Sequence, residues 1–412
     1  MSLIHAAGLK TWRTPAVIVV CACAISMISF GPRSALGFFL TPLSQANGWG
    51  RDVFAMALAL QSLLWGIGQP FAGAIADRFG TIRVLSAGAL LYCAGLALMA
   101  YATSAASLNI AAGVLIGLGL SGCSFNIVLA ALGKLVPAPW RSLSFGAGTA
   151  AGSFGQFLFS PLAVVLIDNL GWRHALLIFA VGMLLVLPLS LALATPRALP
   201  AEAGSMDAQS LRQALTEALG HRSYVLLVLG YFTCGFQLMF ITAHMPAYLA
   251  DRGLSTQVGA WTIAVIGLFN IVGSIYSGWL GDRMPKHYLL SAIYFLRAAA
   301  VLAFISFPVS PVTAITFGAA MGLLWLSTVP PTNGIVTVMF GTRWLAMLTG
   351  FAFFSHQVGG FLGVYLGGFV FERTGSYDAV WWLSILFGVL SALINIPIVE
   401  KPVSRPLAAV TA

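Results

Sequence analysis

The sequence predicts an all-α membrane protein of twelve transmembrane helices, set in two pseudo-symmetric six-helix bundles. Three observations predict it: a composition too poor in charge to coat a soluble surface, a series of apolar runs of spanning length, and a second half that echoes the first. Of 412 residues, 59% are hydrophobic and 8% charged, against about 25% charged in an ordinary soluble domain. Most of such a surface must face lipid, whose core is crossed by about 20 apolar residues. The net charge is +9, but the basic residues are scattered through short loops, so they read as topology signals and no nucleic-acid partner is expected. The five cysteines, Cys21, Cys23, Cys93, Cys123 and Cys234, fall inside apolar runs without metal spacing and read as small packing residues.

The apolar runs place helices at about 15–42, 52–77, 83–102, 107–134, 142–168, 173–195, 223–250, 257–281, 287–307, 312–340, 344–371 and 378–399, here numbered 1 to 12. The first run follows Lys10 and Arg13 as a signal peptide would. It is far longer than the 7–15 residues of a signal core, so it reads as an uncleaved helix. The one long polar segment, 196–222, carries Pro196, Pro200 and Gly204 and then an amphipathic stretch from Ser205 to Leu219. It divides the chain into a first bundle, 1–195, and a second, 223–412. With both termini on the cytoplasmic side, fourteen Lys/Arg lie inside (among them Arg78, Arg83, Lys134, Arg141, Arg283 and Arg343) and four outside, Arg51, Arg173, Arg252 and Arg373. The positive-inside rule therefore puts both ends in the cytoplasm.

The halves repeat at an offset of 202–205 residues: Gly73-Ala-Ile-Ala-Asp77-Arg78 recurs as Gly278-Trp-Leu-Gly-Asp282-Arg283, Gly155-Gln-Phe157 as Gly359-Gly-Phe361, and Asp168 and Gly171 as Glu372 and Gly375. Single matches are weak, but one offset sustained along the chain is the mark of a duplication. Membrane carriers built from repeats hold their substrate near mid-membrane between the halves.

Gly73-Ala-Ile-Ala-Asp77-Arg78-Phe-Gly80-Thr-Ile-Arg83, between helices 2 and 3, resembles the signature loop of the major facilitator superfamily. Together with its degraded copy ending in Asp282-Arg283, the resemblance covers essentially the whole chain. It implies the major facilitator fold, with Gly73, Asp77, Arg78, Gly80, Arg83, Asp282 and Arg283 as a conformational latch; the plainer reading is a basic turn that only fixes topology. Gly31-Pro-Arg-Ser-Ala-Leu-Gly-Phe-Phe-Leu-Thr-Pro42 and Ser355-His-Gln-Val-Gly-Gly-Phe-Leu-Gly363 resemble bacterial carriers of the monocarboxylate and oxalate/formate type. Those families place an arginine in helix 8 where this chain has Ser274, so the usual carboxylate-binding cation is missing there. Drug/proton antiporters are a poorer match, since their helix 4 arginine is Asn109 here and their helix 5 Gly-Pro is Gly152-Ser153.

Ionisable side chains inside a span are costly and usually mark function. All eleven acidic residues fall at helix ends or in loops, which leaves Arg33, Arg297, His244 and His356 as the ionisable residues within spans. Such an interior suits an anion and offers no counter-ion to a cation. Arg33 follows Gly31-Pro32, which loosens the helix, and its fork can hold a carboxylate by two bonds; the alternative is that it snorkels or bonds a neighbouring backbone. Arg297, in a peripheral helix, reads as structural. His356 and the weaker His244 either contact the anion and carry a proton or are structural. Gln237 matches Arg33 in the repeat, and Asn126, Gln156 and Asn270 fall on cavity-type helices; each either contacts substrate or bonds helix to helix. Trp65 and Trp325 either wall the cavity or pack, and Pro330-Pro331 predicts a kink in helix 10.

The expected function is therefore a secondary carrier for a small organic anion, a mono- or dicarboxylate, in the bacterial inner membrane. It would act as a monomer by proton symport or anion exchange. No Walker loop, nucleophile elbow, zinc-protease motif or Cys-x-x-Cys pair appears, so no cofactor is expected and an enzyme is disfavoured. The alternatives are an efflux carrier for a neutral or amphipathic compound, with Arg33 structural, and more remotely a membrane-embedded enzyme or a non-transporting sensor.

Overall fold

The computed structural model describes residues 12–195, 211–341 and 345–403. Among them there is no strand; twelve helical passes run α1 Pro15–Asn47, α2 Arg51–Phe79, α3 Thr81–Ala100, α4 Ala105–Leu135, α5 Ala138–Leu170, α6 Trp172–Ser190, α7 Arg222–Asp251, α8 Thr256–Gly281, α9 Lys286–Ser306, α10 Pro311–Phe340, α11 Leu345–Thr374 and α12 Asp378–Asn395. Eleven are long and apolar enough to cross a membrane. The twelfth, α11, has 30 residues, but Ser355-His356-Gln357 and six glycines dilute its apolar character. An isolated helix of that kind would be a poor lipid solute; here its polar middle is buried against other helices.

The helix ends follow from local chemistry, and they repeat. Thr14 caps α1 by accepting from Val17 N–H at 3.3 Å, with Pro15 in the first turn where its missing N–H costs nothing. Capping boxes open both α4, Ser104 with Ser107, and α10, Ser310 with Thr313. Gly80 makes the α2–α3 turn at φ 91°, where an added Cβ would lie 2.8 Å from the Thr195 carbonyl oxygen; only glycine fits there. The start of α3 is then fixed to the end of α6, because Thr81 donates to the Leu193 carbonyl and its N–H reaches Thr195 Oγ1 at 3.1 Å.

Four passes are interrupted; in α6 a turn at 184–185 separates Trp172–Met183 from Val186–Ser190. In α1 the α-helix ends at Ala35 and a tighter turn, Leu36–Phe39, precedes Leu40–Asn47. The loosening expected around Gly31-Pro32 thus falls just after Arg33. The expected kink in α10 is a break at 325–328, because Pro330 and Pro331 start the second segment and leave the preceding carbonyls without donors. Side chains take up the freed groups. Arg297 donates to the Leu324 and Trp325 carbonyls, Asn270 Oδ1 accepts from Leu326 N–H at 2.9 Å, and Ser277 donates to the Ser327 carbonyl. The helix expected to run unbroken over 107–134 instead contains a wider π-type turn, Asn109–Leu115, and an extended residue at Ser124. Ser124 and Ser327 are 203 positions apart, so the two breaks are repeat partners.

In the first half α1 packs on α5, and α3 on α4 and α6; in the second, α7 packs on α11, α8 on α10, and α9 on α12. The halves meet through α2 on α11, α5 on α8, and the middle of α1 on α7. Glycines set the closeness: a Cβ at Gly235, Gly359 or Gly363 would drive into the carbonyls of His356, Phe232 or Phe236 across the α7–α11 seam. Of the polar segment, the part at 211–220 forms a helix, Leu211–Gly220, on α7. Its expected start near Ser205 lies outside the described residues.

Candidate functional site

Arg33 ends the regular part of α1 at the interface of the halves. Its side chain is 6% exposed and lines a small cavity with Gly37, Leu58, Gln61, Ser62 and Met239. Its guanidinium lies over the Trp65 ring, 4.7 Å from the centroid, and Nη2 donates to Met239 Sδ at 2.6 Å. Nε has no partner, and among the described residues no carboxylate pairs with it. A buried charge without a counter-charge is expensive. The Trp65 face returns only about 0.5–2 kcal/mol, and a thioether is a weak acceptor. The site therefore has unused capacity for an anion.

Rings continue from this cation across the interface. Trp65 of α2 meets Phe353 of α11 edge-on at 5.3 Å; Phe353 stacks on His356 at 5.5 Å and 11°; His356 in turn lies 5.2 Å from Tyr231 of α7. His356 is 4% exposed, and its Nδ1 is 3.1 Å from Gln357 Oε1. Arg33 and His356 are thus connected through Trp65 and Phe353, one from each half, and Trp65 packs on the Arg33 guanidinium without lining the cavity itself.

The other candidates occupy three settings. Gln156 and Asn270 join the halves: Gln156 donates to the Ile263 carbonyl at 3.2 Å, and Asn270 donates to Ser153 Oγ at 2.9 Å while supporting the α10 break. Gln237 and His244 turn into the second half. Gln237 donates to the Ser384 carbonyl at 2.9 Å, and His244 Nε2 is 2.8 Å from the Val364 carbonyl oxygen. Asn126 is half-buried in the first turn after the Ser124 break. Arg297 is fully buried and caps the α10 break, so it is paired rather than snorkelling. Ser274, where the resembling families carry arginine, donates to Asn270 Oδ1 at 3.1 Å. Cavity residues not singled out from the sequence are Gln61, Ser62, Thr242 and Met239; the adjacent polar pair Gln61-Ser62 in an apolar run was the available signal.

The two ends of the interface differ. At the end carrying Arg51, that residue holds Asp251 with two bonds (2.5 and 2.6 Å) and Tyr377 Oη at 3.0 Å, and lies over Phe371 at 4.0 Å. Its N–H donates to Glu372 at 3.0 Å, and Gln257 of α8 donates to Asp168 of α5 at 3.2 Å. At the opposite end lies the signature loop. Gly73 would meet nothing within 4 Å of an added Cβ, Gly80 makes the turn, and Arg83 is exposed. The side chains of Asp77 and Arg78 lie outside the described residues. In the repeat copy Asp282 is exposed and Arg283 folds back over Trp279 at 3.9 Å.

The model of the Major Facilitator Superfamily matches residues 22–364. An uncharacterized MFS-type transporter of Bacillus subtilis, YcxA, is 28% identical over 386 residues, covering 92% of this chain and 93% of its own. Monocarboxylate transporter 13 of Bos taurus is 26% identical, covering 96% and 93%. In structure, a bacterial homolog of the human lysosomal transporter Spinster superposes with a TM-score of 0.72 at 16% identity, over 94% of this chain and 97% of that one. A D-xylose-proton symporter gives 0.70 at 16%, over 96% and 100%. A family match over most of the chain, carried by twelve helices in two repeated bundles, establishes that this chain is a membrane transporter of the Major Facilitator Superfamily.

Proposed function

We propose that the protein moves a small organic anion, a mono- or dicarboxylate, across the bacterial inner membrane by alternating access, with Arg33 as its principal contact. The observation that carries this reading is a buried arginine with no acidic partner among the described residues, lining a cavity between the halves. The names of the monocarboxylate transporters similar to it point the same way. A carboxylate entering the cavity would supply the missing counter-charge and satisfy Nε, at the point where a rocking of the bundles 1–195 and 223–412 about the linker 196–222 changes access. With both termini in the cytoplasm, the sealed Arg51 end faces outward, and the signature loop faces the cell interior. Coupling is by proton symport or by anion exchange; His356, and less directly His244, or the substrate itself carries the proton.

The test is counterflow of labelled pyruvate, L-lactate, oxalate and succinate by the purified protein in liposomes, beside Arg33→Gln. Flux of at least one acid that the substitution abolishes is the expected result. Equal flux in both proteins would contradict the anion role of Arg33.

A further inference from the structure

Met239 of α7 brings its sulfur onto the Arg33 guanidinium. The sulfur accepts from Nη2 of that guanidinium, and both side chains line the same cavity. The contact crosses between the halves, from α1 to α7. Met239 also packs against Gly360 of α11, where an added Cβ would meet Met239 Cγ at 2.6 Å.

We propose that Met239 is a built-in surrogate ligand for Arg33. It occupies the cation in the empty carrier, ties the halves together at mid-membrane, and gives way to the anion. This rests on the reading of Arg33 as the anion contact. Sulfur is a weak acceptor, whereas a carboxylate makes charge-assisted bonds roughly twice as strong as neutral ones. The exchange is therefore favourable but not free, and the residue at 239 sets the apparent affinity. Methionine suits the role because its unbranched chain swings aside without backbone movement. Binding of the anion would release the α1–α7 tie at the moment the site is filled, which links occupancy to the freedom of the halves to rock.

Two volume-conserving variants separate this from a packing role. Met239→Leu removes the acceptor, and Met239→Gln replaces it with a stronger one. The readout is the concentration of anion giving half-maximal thermal stabilisation of the full chain, for whichever of pyruvate, L-lactate, oxalate and succinate binds the wild type best. Met239→Leu is expected to bind about threefold to tenfold more tightly and Met239→Gln weaker by a similar factor, the range that one net hydrogen bond spans. Arg33→Gln is expected to abolish the stabilisation altogether. Loss of binding in Arg33→Gln with both Met239 variants shifted in one direction, or unshifted, would overturn the surrogate while leaving the anion site standing. Undiminished binding in Arg33→Gln, or no binding by any of the four acids, would overturn the anion site and the surrogate with it.

Discussion

Arg51 at the start of α2 and Asp251 at the end of α7 meet in a two-pronged ion pair, 2.5 and 2.6 Å, that closes one end of the interface between the halves. The arginine side chain is 16% exposed and the carboxylate 33%. Because the pair is partly solvated, its net contribution is about 1 kcal/mol. Its importance lies in position: the same arginine also holds Tyr377 and Phe371, so four elements depend on one side chain.

Arg51→Gln should therefore shift the carrier toward the state open at this end, by about fivefold in population for about 1 kcal/mol. Spin labels at Gln45 and Thr256, both exposed and one in each half, report it in a cysteine-free background. A growing long-distance component is expected, and an unchanged distance distribution would show that the pair does not hold the halves.

Arg297 should behave as a structural residue. Arg297→Met strips donors from the Leu324 and Trp325 carbonyls, and a buried acceptor left unmade costs about 1–3 kcal/mol. A loss of about 2–4 kcal/mol in stability is expected, with Arg297→Lys recovering only part because it lacks the planar fork. Thermal unfolding in detergent, followed by far-UV circular dichroism, measures it. A fully stable Arg297→Met protein would refute the capping role.

The α7–α11 seam should be intolerant of a single methyl group. Gly359→Ala would push a Cβ into the Phe232 carbonyl and Gly363→Ala into that of Phe236, and backbone in a packed seam cannot yield cheaply. Each should lower stability by about 1–3 kcal/mol. Gly73→Ala, where nothing lies within 4 Å, is the control and should be as stable as the parent protein in the same melting assay.

Trp65 should matter through the face it offers the cation. Trp65→Leu removes the attraction for Arg33 and the edge contact to Phe353, so anion affinity should change with Trp65→Leu far more than with Trp65→Phe, which keeps a π face. Equal effects of the two substitutions on anion-induced stabilisation would reduce Trp65 to a spacer.

The spans, the repeat and the position of Arg33 were legible because they depend on composition, offset and local backbone chemistry. The α10 break was legible from Pro330-Pro331. Its partner at Ser124 was not, since that half lacks the prolines; only the repeat offset could have located it. Side-chain facing was the part least accessible from the sequence. α7 is buried almost all round through its second half, so its pattern has no polar face to show that Gln237 turns toward Ser384 while Met239 turns toward Arg33. The meeting of Trp65 with Phe353 likewise depends on the register of α2 against α11, which a single sequence does not carry.

On the proposed function, Arg33 is the side chain that holds the anion. The most direct test of that role is thermal stabilisation of the purified protein by a panel of small mono- and dicarboxylates at pH 5.5 and 7.5, beside Arg33→Gln, since a ligand that binds only the folded state raises its stability. Stabilisation by at least one acid that disappears in the variant is the predicted result. Stabilisation by neutral or amphipathic compounds in both proteins alike, with no response to any acid, would contradict it.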